Sequence, residues 1–303
     1  MMGRSVQEVA RPQAVARVGR VLGELLKQTL TFIRRKPLGG VGLIVVLLIV
    51  AMAVVPGVFA THDPLDADFD AVLKGPRSVH WLGTDNLGRD MYSRIVWGSR
   101  VAIIVSFGAI AVGTTIGLVA GVVSGYFGRW VDVAMQRLIE IMLAFPALIL
   151  ALALMAVFGA GLDKVVIALT VVYAPRTARV MRGATLQVKA MMYVDAARAI
   201  GASHARIMFR HLLPNVMASY LIVASTLLGA AILTEASLSF LGLGVPPPAP
   251  SWGQMLSGNA QEIALTAPWT AIFPGLAIVV LVFAFNAVGD ALRDVWDPKL
   301  RGR

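Results

Sequence analysis

The sequence predicts an all-α polytopic membrane protein with six transmembrane helices, on three observations. The 303 residues are 57% hydrophobic and 15% charged, with mean hydropathy +0.76, whereas ordinary soluble domains carry roughly 25% charged residues. Five long runs contain no Asp, Glu, Lys or Arg: Leu38–Ala60, Val101–Phe127, Ile141–Leu162, Val216–Thr234 and Ile263–Gly289. The remaining basic residues collect on alternate sides of those runs. Each run approaches or exceeds the roughly 20 residues that cross a bilayer as a helix. None shows the period-2 alternation of a barrel strand, so each satisfies its backbone as a helix.

Taken in order, residues 1–37 form a basic cytosolic segment. Within it Leu22, Leu25, Leu26 and Ile33 recur at helical spacing, with Arg20 and Lys27 on other faces. That pattern predicts an amphipathic helix on the inner leaflet. Residues 38–60 form the first span. The apolar run is too long for a signal-peptide core, so it stays uncleaved. Residues 61–99 form a long outer loop holding Asp63, Asp66, Asp68 and Asp70 and an aromatic group of Trp81, Tyr92 and Trp97. The spaced acids lack the twelve-residue frame and closing Glu of a calcium loop.

Residues 100–291 carry five further spans. On the second, Gly113, Gly117, Gly121 and Gly125 recur every fourth residue, a small-residue face for close helix packing. Phe145-Pro146 predicts a kink in the third. The fourth runs from Lys164 to about Arg182, its basic end reaching the headgroups by snorkelling. The fifth contains Glu235 and the sixth Asn286. Glu235 is the one acid inside an otherwise apolar span, a candidate for a water-filled path, an intersubunit contact or an outer headgroup position. Asn286 is a weaker candidate for an interhelical hydrogen bond. Before the sixth span, Pro246-Pro-Pro-Ala-Pro250 is stiff and extended, and Ser257–Ala267 is expected as a short helix. Residues 292–303 form a cytosolic tail.

Charge fixes the orientation. With six spans and both termini inside, the cytosolic side holds eight basic residues before Leu38, then Arg129 and Arg137, then seven between Arg176 and Arg210, and four in the tail. Together these are 21 of the 27 Lys and Arg. Cytosolic loops carry such an excess. The net charge of +10 therefore reflects topology and contact with anionic lipid rather than nucleic-acid binding. There is no cysteine, which excludes disulfides and thiolate metal sites. His62, His80, His204 and His211 show no ligand spacing.

The cytosolic segment Arg176–Asn215 is too long for a turn between spans. Asp195-Ala-Ala-Arg-Ala-Ile200 favours helix, and Gly201 ends it in the left-handed conformation. A second helical stretch follows, and Pro214 opens the next span. Two short helices meeting at Gly201 form an elbow, with the small residues Ala196 and Ala197 on it and Asp195 placed to cap a helix or meet a partner cation. On spacing alone, this is equally an ordinary helical hairpin and a handle for another protein.

Asp195-Ala-Ala197, Gly201 and Leu213-Pro214 resemble the coupling loop (Glu-Ala-Ala, then Gly, then Leu-Pro) of permeases in prokaryotic ABC importers, with Asp195 replacing the usual Glu and His211 where an apolar residue is common. Trp81–Asp90, Glu235–Gly244, Pro250-Ser-Trp-Gly253 and Asp297–Arg301 are similar to the C-type permease of dipeptide and oligopeptide transporters. The resemblance implies type I ABC importer permease architecture in the inner membrane, with the coupling loop at residues 190–215. It also implies a heterodimer with a B-type permease, two ATPase subunits docked on the loops, and an extracytoplasmic substrate-binding protein. The chain has no Gly-x4-Gly-Lys-Ser/Thr phosphate loop, so it is expected to be a transport subunit without cofactor or enzymatic activity, ATP and Mg being held by the ATPases. Nickel, glutathione or opine uptake are alternatives within the class. An ion-gradient-driven secondary transporter is the alternative outside it, and it would need more intramembrane ionisable groups than Glu235.

Overall fold

A computed structural model describes residues 36–257, 263 and 265–296. The expected N-terminal amphipathic helix, most of the expected Ser257–Ala267 helix and the tail from residue 297 lie outside these. No strand forms among the described residues, and an isolated bridge pairs Thr84 with Asp90. The helices are α1 (Pro37–Val54), α2 (Pro56–Phe59), α3 (Met91–Phe127), α4 (Arg129–Leu143), α5 (Ala147–Phe158), α6 (Leu162–Lys189), α7 (Met192–Ala199), α8 (His204–Ile207), α9 (Leu213–Phe240), α10 (Trp252–Met255) and α11 (Trp269–Trp296).

Four described segments are long and apolar enough to cross a membrane: α1, α3, α11, and α8 with α9 as one rod. The bent pair of α4 and α5 makes a fifth if it counts as one span. Helix α6 has the length of a span, but its charged residues keep it out of that apolar count. By length and composition the structure thus supports four or five of the six expected spans.

The expected third span, Ile141–Leu162, is not one kinked helix. Helices α4 and α5 meet at 89°. The residue before a proline avoids the helical region, and proline lacks an N–H. Phe145-Pro146 therefore ends one helix and starts another. The composition changes at the same point. Helix α4 carries Asp132, Gln136, Arg137 and Glu140 among apolar residues, whereas α5 is wholly apolar.

Helices α3 and α6 form the closest pair, and the glycine face explains why. A Cβ at Gly117 would lie 2.6 Å from the Ala174 carbonyl oxygen, and one at Gly121 2.5 Å from that of Ala178. One at Gly113 would lie 3.0 Å from the Thr170 oxygen. Backbone therefore rests on backbone along three turns, as small-residue faces allow. Val112, Ile116 and Val119, on the other side of α3, are exposed and suit lipid.

Around this pair α3, α5, α6 and α9 bury Val105, Ala109, Ala151, Met155, Leu169 and Leu227. A second cluster joins α1, α9, α10 and α11 through Val46, Ile49, Ile232, Trp252, Leu281 and Phe285.

Two helices outrun their expected limits. Helix α3 begins at Met91 rather than near residue 100, because Asp90 caps it by accepting the Ser93 N–H at 2.8 Å. Helix α6 continues unbroken to Lys189, so the first fourteen residues of the expected Arg176–Asn215 loop are helix and the elbow proper is shorter.

Candidate functional site

The elbow forms where the sequence places it. Helix α7 ends in a left-handed glycine, Gly201, at φ +78°. The Ala202 N–H bonds the Ala197 carbonyl at 3.0 Å, and the Gly201 N–H bonds that of Arg198 at 2.9 Å. These two bonds are the Schellman arrangement that closes a helix on glycine. Ser203 caps α8 by accepting the Arg206 N–H at 3.3 Å. One wide π-helical turn, Met208–Leu212, joins α8 to α9, and Pro214 lies in the first turn of α9. Such turns collect at functional sites.

The inner side of the elbow is packed. Val194, Ala197, Ile207 and Leu212 are buried with Tyr126, the penultimate residue of α3. The Tyr126 hydroxyl and His204 Nδ1 are 2.7 Å apart. Lys189 Nζ donates to the Tyr126 carbonyl at 2.6 Å and that of Gly125 at 3.3 Å, satisfying carbonyls at the α3 C-terminus with a cation. The Arg198 guanidinium lies 5.9 Å from the Tyr126 ring centre. Beside this joint, Arg182 grips Asp132 with two hydrogen bonds of 2.6 and 2.5 Å. Ser124 donates to the same carboxylate at 2.5 Å. This ties α4 to α3 and α6 with a bidentate, charge-assisted pair.

The outer side is open and apolar. Met192 is 88% exposed, Ile200 85% and Phe209 69%. Charge complements this patch at its edge, where Asp195 is exposed and paired with Arg198 at 3.0 Å. Asp195 caps nothing. Ala196 is exposed, whereas Ala197 is buried in the chain's own interior. Leu213 is half-buried and Pro214 exposed. The apolar trio escaped sequence reading because it draws on both sides of Gly201 and fits no single helical period.

The two intramembrane polar candidates lie apart from the elbow and from each other. Glu235 is 2% exposed. Its Oε1 accepts from Ser239 Oγ at 2.8 Å and Ser251 Oγ at 3.3 Å. The neighbouring Trp252 donates from Nε1 to the Ile95 carbonyl at 2.9 Å, so the Pro250-Ser-Trp-Gly253 segment is clamped between α9 and α3. Asn286 is exposed on α11 and lines a cleft with Lys36, Asp290 and Asp294.

Comparison with known proteins places these features. The family described as binding-protein-dependent transport system inner membrane component matches residues 113–302, and the N-terminal TM domain of oligopeptide transport permease C matches residues 25–76. The chain is 42% identical over 271 residues to the glutathione transport system permease protein GsiD of Pectobacterium atrosepticum, covering 89% of each. It is 40% identical over 273 residues to the dipeptide transport system permease protein DppC of Alkalihalophilus pseudofirmus, covering 89% of this chain and 88% of that one. Among solved structures, a chain of the MetNI methionine ABC transporter in an inward-facing form aligns with TM-score 0.57 at 23% identity. The alignment covers 68% of this chain and 97% of that one, a likeness of fold.

Proposed function

The chain belongs to the family of binding-protein-dependent transport system inner membrane components, and on that premise we propose that it works as the C-type half of an ATP-driven importer for di- and oligopeptides. A B-type permease supplies the other half of the path, two ATPase subunits grip the elbows, and an extracytoplasmic protein delivers substrate. Both termini lie in the cytosol. ATP and Mg reside on the ATPases, so the transport cycle needs no nucleotide site on this chain.

The observation that carries the reading is the two-sided elbow. One side is fixed to the end of α3 through Tyr126, His204 and Lys189. The other presents Met192, Ile200 and Phe209 to solvent. An exposed apolar patch of this kind with a polar rim marks a protein interface. ATP-driven closure of the docked subunits moves the elbow, the rigid joint passes the displacement to α3 and α9, and the spans open alternately to each side. Glu235 serves as the internal clamp of the outer segment, and Asn286, on an exposed helix face, is the better intersubunit candidate.

Glutathione, itself a short peptide, is the second substrate reading, favoured by the relative named for its transport. Few charges line the spans, so substrate choice rests with the binding protein.

Uptake by the complex reconstituted in vesicles, with and without ATP, tests the proposal. A Gly201→Pro change cannot hold φ +78°. It should abolish peptide uptake while ATP hydrolysis persists, and full uptake in that variant would refute the coupling role. A binding protein swapped from a glutathione system should bring its specificity with it; unchanged specificity would place selection in the permease.

A further inference from the structure

The fold gathers three residues from separate segments at the end of α3 remote from the elbow. His62 follows α2, His80 lies in the outer loop, and Asp90 opens α3. Their ligand atoms all fall within 4.8 Å of one another. We propose that His62, His80 and Asp90 form a binding site for a first-row divalent metal ion of the zinc type. This inference is independent of the transport reading.

A tetrahedral zinc with bonds of about 2.1 Å sets its ligand atoms about 3.4 Å apart. His80 Nδ1 lies 3.0 Å from Asp90 Oδ1, and His62 Nδ1 lies 3.8 Å from Asp90 Oδ2. These two separations bracket the required spacing, and one ligand atom from each residue already lies within 4.8 Å of the others, so rotations of the side chains bring one atom of each residue around one ion. The two imidazole rings lie with centroids 4.9 Å apart and tilted by 33°, both turning Nδ1 toward the carboxylate. Water can fill the fourth position, as in zinc sites with three protein ligands.

The surroundings hold the donors in place. Asp90 is 2% and His80 6% exposed, and Asp90 is further fixed as the α3 cap. The His62 and Thr61 backbone N–H groups both donate to Ser93 Oγ, at 3.0 and 3.2 Å, which anchors the His62 segment against the first turn of α3. The Thr61 hydroxyl lies 3.0 Å from His62 Nδ1 and 3.4 Å from Asp90 Oδ2, within reach of a metal-bound water. Support of this kind orients metal ligands.

The donor set selects the metal. Two nitrogens and one carboxylate oxygen suit zinc and its neighbours, while calcium and magnesium take oxygen ligands. The nearby acids do not compete. Asp63 accepts the Leu65 N–H and Asp68 the Asp70 N–H, closing local turns instead. A bound ion would join the chain after α2, the outer loop and α3 by one cross-link.

The test uses the full chain in detergent, purified without a polyhistidine tag and stripped with chelator. Titration with Co²⁺ should give one ion per chain with the visible ligand-field bands of tetrahedral nitrogen and oxygen coordination. His62 is 37% exposed at its side chain, so His62→Ala should keep its helical circular dichroism yet bind Co²⁺ at least about tenfold more weakly, since loss of an outer-shell partner alone costs about that much. Zn²⁺ should raise the melting temperature of the wild-type chain and not of His62→Ala. His211→Ala, at the elbow end, should bind normally. Equal binding by wild type and His62→Ala, no binding by wild type, or loss in His211→Ala instead would each overturn the assignment.

Discussion

The two ends of α3 are built on opposite plans. At the Asp90 end, a dense set of polar groups is hydrogen-bonded within the chain. The Thr84 hydroxyl donates to the Ala71 carbonyl and accepts the Lys74 N–H. The Thr84 carbonyl receives Trp269 Nε1 at 3.1 Å. Asp85 accepts the Leu87 and Arg89 N–H groups and pairs with the Arg89 side chain at 2.8 Å. Trp81–Asp90 is thus a knot tied to Ala71, Lys74 and Trp269. At the elbow end, a small cluster around Tyr126 supports two short helices whose largest apolar side chains face outward. The contrast is between an end tied together by its own hydrogen bonds and an end that leaves an apolar patch uncovered.

Among substitutions, the largest effect is expected in the shaft common to both ends. Gly117→Leu would press a side chain into the α6 backbone, which cannot yield as a flexible side chain can. We expect destabilisation of about 3 kcal/mol or more, read as a lower melting temperature and loss of folded protein in detergent. Next, Phe209→Asp combined with Met192→Asp should weaken ATPase docking by about 2 kcal/mol or more, roughly 30-fold in affinity. The melting temperature of the isolated permease should hardly change. If the double variant instead melts early, the patch is core and the contrast between ends fails.

Asp90→Ala should do the reverse. It removes a helix cap, a loss of typically about 1 kcal/mol, and leaves His80 buried without its carboxylate. We expect a drop of about 2 kcal/mol in stability, with docking unaffected. Tyr126→Phe removes one hydroxyl from the joint, a loss of about 1 kcal/mol. Its signature should be a fall in peptide transported per ATP hydrolysed, with ATPase docking retained. Smallest is Asp195→Ala. Its pair with Arg198 is exposed, and such pairs contribute about 0–1 kcal/mol, so stability should stay within about 0.5 kcal/mol. A clear loss of ATPase binding in this variant would assign the carboxylate to the partner.

The sequence disclosed those features whose cause is local. Gly201 and Pro214 punctuate helices by their own backbone preferences, and a glycine every fourth residue dictates close packing wherever that helix lies. The uncharged runs mark the apolar helices for the same reason. What depends on tertiary assembly stayed hidden. His62, His80 and Asp90 are 18 and 10 residues apart in the chain, spacings that suggest no common site until the loop folds back on α3. Proline at 146 signals a disturbance but not its angle, because the 89° turn also depends on α4 being held by Arg182 and Ser124. Arg176, Arg179 and Arg182 read as the end of a span, yet α6 runs on to Lys189, where its ammonium meets the carbonyl end of α3. The burial of Ala197 against Tyr126 also depends on tertiary packing, because the sequence does not say which face of the short helix meets the end of α3.

Helix α3 is longer than the bilayer core is deep. Its 37 residues extend about 55 Å at 1.5 Å per residue, whereas the oily interior of a bilayer is about 30 Å deep. An upright α3 would therefore extend about 25 Å beyond the hydrocarbon core, through the headgroups and into water. A tug on the Phe127 end reaches the Met91 end along one uninterrupted hydrogen-bonded strut, with no break in the helix to absorb it.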